Sequence, residues 1–131
     1  MSTYVREKVL RIPMDKLNIS FTEEEMDDLG WAIEKKFPDF FDYGTVGKFQ
    51  LAPTCGNFVD LLLDKEWDAD GEYGKIRTLS DREKAKYLPE FQKIDPNVNM
   101  DFVRLVEFCW YNGCEAPDYY DETKDPFYDE V

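Results

Sequence analysis

Residues 101–111, DFVRLVEFCWY, decide how this chain is read, because their composition suits a strand and a helix equally. Taken with a period of two from Phe102 on, each face carries one charge, Arg104 or Glu107, and neither is cleanly apolar. At about 100° per residue, Arg104, Glu107 and Tyr111 gather on one side, and Phe102, Leu105, Val106, Cys109 and Trp110 on the other. The spacing therefore predicts a helix, with Gly113 as the residue that ends it. A hairpin turn at Asn112-Gly113 is the alternative.

Working upstream, Ser80 and Glu83 form a capping-box pattern that opens a short helix, which Pro89 ends or kinks. Residues 72–79 read as a strand, and 57–67 (NFVDLLLDKEW) as another helix. Residues 45–52 (TVGKFQLA) read as a short strand. Before it, Thr22 and Glu25 form a second capping box, and Met26, Leu29, Ile33 and Phe37 recur at helical spacing until Pro38. Residues 4–12 (YVREKVLRI) are rich in β-formers and stop at Pro13, a first strand. Together these elements predict an α+β fold: one small domain over residues 1–114, with a short antiparallel sheet packed against three to four helices. Residues 115–131 follow as an acidic, aromatic C-terminal tail that either frays or docks on the domain.

The chain has 131 residues, 16 Lys and Arg against 29 Asp and Glu, and no His, for a net charge of −13. At this length about two-thirds of the accessible surface is buried on folding, enough for a core without staples. Hydrophobic content of 43% separates it from disordered acidic chains. A pI near 4.3 argues against direct contact with nucleic acid or an anionic membrane, both of which need clustered Lys and Arg. The N-terminus lacks an apolar run of signal-peptide length, and no stretch is long enough to span a bilayer. Three cysteines cannot all pair within one chain, which suits a reducing cytoplasm.

Enzymatic constellations fail on inventory. Without His, Ser-His and Cys-His pairs cannot form within the chain. There is no nucleophile elbow and no glycine-rich phosphate loop. Cys55 is the best placed thiol, just ahead of a predicted helix, but it has no base beside it. Cys109 and Cys114 lack the further ligands that zinc needs. The run Glu66, Asp68, Asp70, Gly71 resembles the start of a calcium loop, yet its twelfth position is Arg77 where a bidentate carboxylate is required. The reading is a protein that is not an enzyme and holds no metal or cofactor.

What remains is surface charge combined with aromatics. Residues 23–72 carry a net −10 and residues 101–131 a net −7, while the two other segments are each +2. On the helix predicted after Thr22, the stripe Met26, Leu29, Ile33 and Phe37 faces inward. Glu24, Asp27 and Asp28 face outward with Trp31, which lies roughly 140° from Met26 on the wheel. An aromatic ringed by carboxylates has the form of an interface anchor. Asp68 and Asp70 extend the acidic surface, and the tail repeats the combination with Asp118, Tyr119, Tyr120, Asp121, Glu122, Phe127 and Tyr128.

In this profile of a short, acidic, His-free single domain, the chain resembles phage and mobile-element proteins that disarm host defences, including anti-CRISPR and antirestriction proteins. The resemblance is one of composition, and no motif carries it. It implies an inhibitor that occupies the basic nucleic-acid groove of a partner, such as a nuclease or CRISPR effector, with carboxylates in place of phosphates and aromatics in place of bases. The alternatives are an immunity protein or antitoxin against a basic nuclease, and a mobile-element accessory domain without mimicry.

Overall fold

Two of the segments whose spacing predicts helices are strands. A computed structural model describes residues 3–52, 58–67 and 75–112. Five strands, β1 (Thr3–Pro13), β2 (Phe49–Leu51), β3 (Phe58–Trp67), β4 (Lys75–Thr78) and β5 (Arg104–Asn112), form one sheet in the order β2-β3-β1-β5-β4. All its strand pairings are antiparallel. Among the described residues there are two α-helices, α1 (Leu29–Lys36) and α2 (Asp81–Phe91), and three short 3-10 turns at 14–16, 25–28 and 100–102. The expectation of a sheet under three to four helices is thus corrected to a dominant antiparallel sheet with two short helices.

The reason lies in β3 and β5. Both flank the central strand β1, and both are buried on the two faces of the sheet: Phe58 through Leu62 are all buried, as are Leu105, Val106, Phe108 and Cys109. A strand covered on both sides has no polar face and loses its period of two, so its apolar residues mimic a helical stripe. At the short edge strands, β2 and β4, the strand readings from sequence hold in trimmed form.

The helices lie on one face. There Leu10, Ile12, Val59, Leu61 and Leu105 of the sheet meet Ile33 of α1, Phe91 of α2, and Ile94, Met100 and Val103 of the chain that follows. On the second face Val9, Phe58, Leu62, Val106 and Phe108 form a separate apolar cluster with Ala52. Arg11 and Asp60 stand opposite each other on that second face and are fully buried. Asp60 accepts two hydrogen bonds, Nε to Oδ1 at 2.8 Å and Nη2 to Oδ2 at 3.0 Å. The guanidinium lies 5.2 Å from the ring centre of Phe58 and 4.7 Å from that of Phe108, so its flat faces are covered by aromatics.

The register of β1 against β3 shifts once. Val9 pairs with Leu62 but Lys8 with Asp64, which leaves Leu63 as the extra residue of a β-bulge. Beyond the bulge Lys8 opposes Asp64, Glu7 opposes Lys65 and Arg6 opposes Glu66, three cross-strand pairs of opposite charge.

α2 begins as its sequence predicts. Ser80 accepts from the Glu83 N–H, and the Glu83 carboxylate accepts from the Ser80 N–H, a complete capping box. Pro89 neither ends nor shortens the helix at once, since α2 runs on to Phe91. Among the described residues no helix is long and apolar enough to cross a membrane.

Candidate protein-binding face

The segment 22–47 carries eight acids and two bases, and it forms the layer that covers the β2 side of the sheet. Its capping box is made: the Thr22 N–H donates to Glu25 Oε1 at 2.8 Å, and the Glu25 N–H to Thr22 Oγ1 at 3.2 Å. These bonds, with the Lys36 ammonium 3.4 Å from Glu25, hold that carboxyl below its usual range, the backbone bond first. The box opens a 3-10 turn rather than the long helix its spacing predicts. At Asp28 the backbone leaves the helical region (φ −145°, ψ 81°), and its side chain restarts a helix by accepting the Trp31 N–H at 3.0 Å. This break rotates Met26 out of the apolar stripe assigned to it, and Met26 is exposed. Leu29, Ile33 and Phe37 do pack on the core. Gly30 makes the approach of α1 to the sheet possible, because a Cβ there would stand 2.8 Å from Leu51 Cδ1.

Glu24, Asp27, Asp28 and Trp31 are all exposed on this layer, as their outward placement predicts. The side chains of Glu23, Glu24 and Asp27 make no hydrogen bond or ion pair among the described residues, and with Thr22 they line an open, shallow depression. On the α2 side, three of the six cations of residues 73–100 are matched by carboxylates: Arg77 with Glu83, Lys84 with Asp101 and Lys93 with Glu90. Glu23, Glu24 and Asp27 stand within five residues of one another, so this layer gathers three unmatched carboxylates in one place. Asp68, Asp70, Asp118, Tyr119, Tyr120, Asp121, Glu122, Phe127 and Tyr128 lie outside the described residues, as do Cys55 and Cys114. Cys109 is buried in β5.

Sequence reasoning missed the second half of the face. After Pro38 the chain runs along the outer edge of β2, where the Phe49 N–H donates to Phe40 O at 2.8 Å and the Asp42 N–H to Phe49 O at 3.0 Å. A tight loop then passes through Gly44 and Gly47, both at positive φ (72° and 88°). That loop presents Tyr43 and Val46, which are 61% and 58% exposed, beside a helix layer whose Met26 and Trp31 are 59% and 54% exposed. Tyr43 stands against Glu34, one helical turn after Trp31, and its pKa is pushed up to about 12 by partial burial and then by that carboxylate. Glu34 Oε1 is shielded from solvent and has no hydrogen-bond partner among the described residues. The Lys35 ammonium sits 4.5 Å from the Trp31 ring centre. Two bulky residues spaced by glycines in YGTVG were the available signal for the loop.

No family model, no curated protein and no solved structure matches this chain. Function is accordingly read from the site alone. The described residues contain no group of three or more His, Cys, Asp or Glu placed to hold a metal ion.

Proposed function

We propose that the protein is a non-enzymatic binding protein, acting in the cytoplasm, whose acidic layer docks on the basic nucleic-acid groove of another protein and competes there with nucleic acid. The observation that supports this reading is the pairing, on one layer, of unmatched carboxylates (Glu23, Glu24, Asp27) with exposed apolar side chains (Met26, Trp31, Tyr43, Val46). Solubility alone calls for charge; it gives no reason to expose four bulky apolar side chains beside that charge. Carboxylates steer a positively charged surface into encounter, and aromatics and methionine supply the desolvated contact that slows dissociation. An anti-defence inhibitor of a nuclease or CRISPR effector is the finer form of the proposal, and an immunity protein against a basic nuclease fits the same face.

The test is affinity capture from host lysate at low and high salt, with DNA or RNA as competitor and a Glu23→Lys/Glu24→Lys/Asp27→Lys variant in parallel. The proposal requires a captured protein that salt and nucleic acid both displace and that the variant fails to hold. Capture that is indifferent to nucleic acid, or equal with the variant, would place the binding surface elsewhere.

A further inference from the structure

We infer that Gln50 is a positioning residue: a buried amide on β2 that clamps the tip of the 42–48 loop to the sheet and so fixes where Tyr43 and Val46 stand. Gln50 is buried and shares the second face of the sheet with its cross-strand partner Asp60. Its Oε1 accepts the Gly44 N–H at 3.0 Å, and its Nε2 donates to Glu7 Oε1 at 2.5 Å. Glu7, on the central strand, is itself buried. The loop tip is thus joined through one side chain to the middle strand of the sheet.

The chemistry selects an amide. One end must accept from a backbone N–H and the other must donate to a carboxylate, and among side chains of this length only Gln does both. Glu would set two carboxylates against each other, and Met would leave the Gly44 N–H and Glu7 without this partner. The backbone reinforces the fit at Gly44, whose φ of +72° suits glycine. The shoulders of the loop are fixed independently by backbone bonds, Gly47 N–H to Leu62 O at 2.8 Å and Leu62 N–H to Lys48 O at 3.1 Å. Thr45 Oγ1 donates to Asp42 Oδ2 at 2.7 Å across its base. Gln50 is the side chain that ties the Gly44 N–H of the tip to the sheet. A loop held this way has its ordering entropy removed before any partner arrives, which favours binding without adding a contact. That consequence rests on the proposed binding face; the clamp itself does not.

The test needs no partner. In the full chain carrying Gln50→Met, native-state exchange of the Gly44 amide should accelerate about tenfold or more, and the Tyr43 titration midpoint should fall from about 12 toward 10. Exchange at Val9 and Val106 should change by less than about twofold. An unchanged Gly44 rate would overturn the inference, as would uniform acceleration of every amide. Should Gln50→Met not fold, Gln50→Asn decides: it keeps the amide but is one methylene too short to span Gly44 and Glu7, and it must accelerate Gly44 exchange without touching the core amides. A Gly44 exchange rate that stays at the parent value in Gln50→Asn refutes the clamp, whatever the capture experiment shows.

Discussion

Replacing Asp60 by Asn should destabilise the protein by about 3–5 kcal/mol, the range for breaking a buried ion pair from one side. Both side chains of the Arg11–Asp60 pair are 0% exposed, so neither charge can recover hydration. Asn keeps the shape of the carboxylate but has one acceptor oxygen. One of the two bonds, at 2.8 and 3.0 Å, must become a donor facing a donor. The guanidinium keeps its Phe58 and Phe108 faces and loses its counter-charge. A domain of this size holds about 5–15 kcal/mol in total, and at about 4 °C per kcal/mol the melting temperature falls by about 12–20 °C. The double variant Arg11→Met/Asp60→Leu should instead remain within about 2 kcal/mol of the parent, because it removes both desolvation costs together. Urea denaturation of the parent, the singles and the double measures the coupling. A loss below about 1 kcal/mol in Asp60→Asn, or a double variant no better than the single, would show that the pair is not the buried, mutually dependent unit described.

Three further outcomes are expected. Arg77 and the Ser80 N–H hold the Glu83 carboxyl down to about 2, so its contribution to stability is present above the ordinary value of 4.5 and is lost as pH falls from there through 2. Arg77→Met should return the Glu83 midpoint toward 4.5 in a carboxyl-detected NMR titration, and Ser80→Ala should cost about 1 kcal/mol through the lost cap. Asp28→Ala should cost about 1 kcal/mol in thermal melts while Asp28→Asn restores most of it, because Asn also accepts the Trp31 N–H. Glu23→Lys/Glu24→Lys/Asp27→Lys, which leaves Asp28 alone, should keep the parent melting temperature within about 2 °C in calorimetry, since exposed positions without partners contribute little to stability.

The parts of the fold legible in the sequence were those fixed by local chemistry. Both capping boxes formed, because Thr22, Glu25, Ser80 and Glu83 need only their neighbours. β1 was marked by its β-formers and by Pro13. The middle of the sheet was not legible, because burial on both faces depends on residues distant in sequence and erases the alternation on which a strand reading relies. In the acidic layer, Glu24, Asp27 and Trp31 could be placed outward from the wheel alone. Met26 could not, because the helix restarts at Asp28 through a side-chain bond that a uniform 100° step does not contain. Asp28 itself has the sequence pattern of surface charge and is a cap. Tyr43, Val46 and Gln50 depend on the path of the chain around the β2 edge, which no periodicity encodes.

The bulge at Leu63 also guards against misassembly. Had the first strand met the third without the extra residue, Asp64 would oppose Glu7 and Lys65 would oppose Arg6. Every attractive pair beyond that point would be exchanged for a repulsion or a mismatch, and Leu63 would face Lys8. A one-residue slip is therefore met by several penalties at once, in a chain whose apolar, doubly covered strands offer little alternation to detect the error. Deleting Leu63 would keep Lys8, Glu7 and Arg6 opposite Asp64, Lys65 and Glu66 and would lose only the bulge and the packing of Leu63 on the core, so the register error to be feared is a slip with Leu63 present, not its loss.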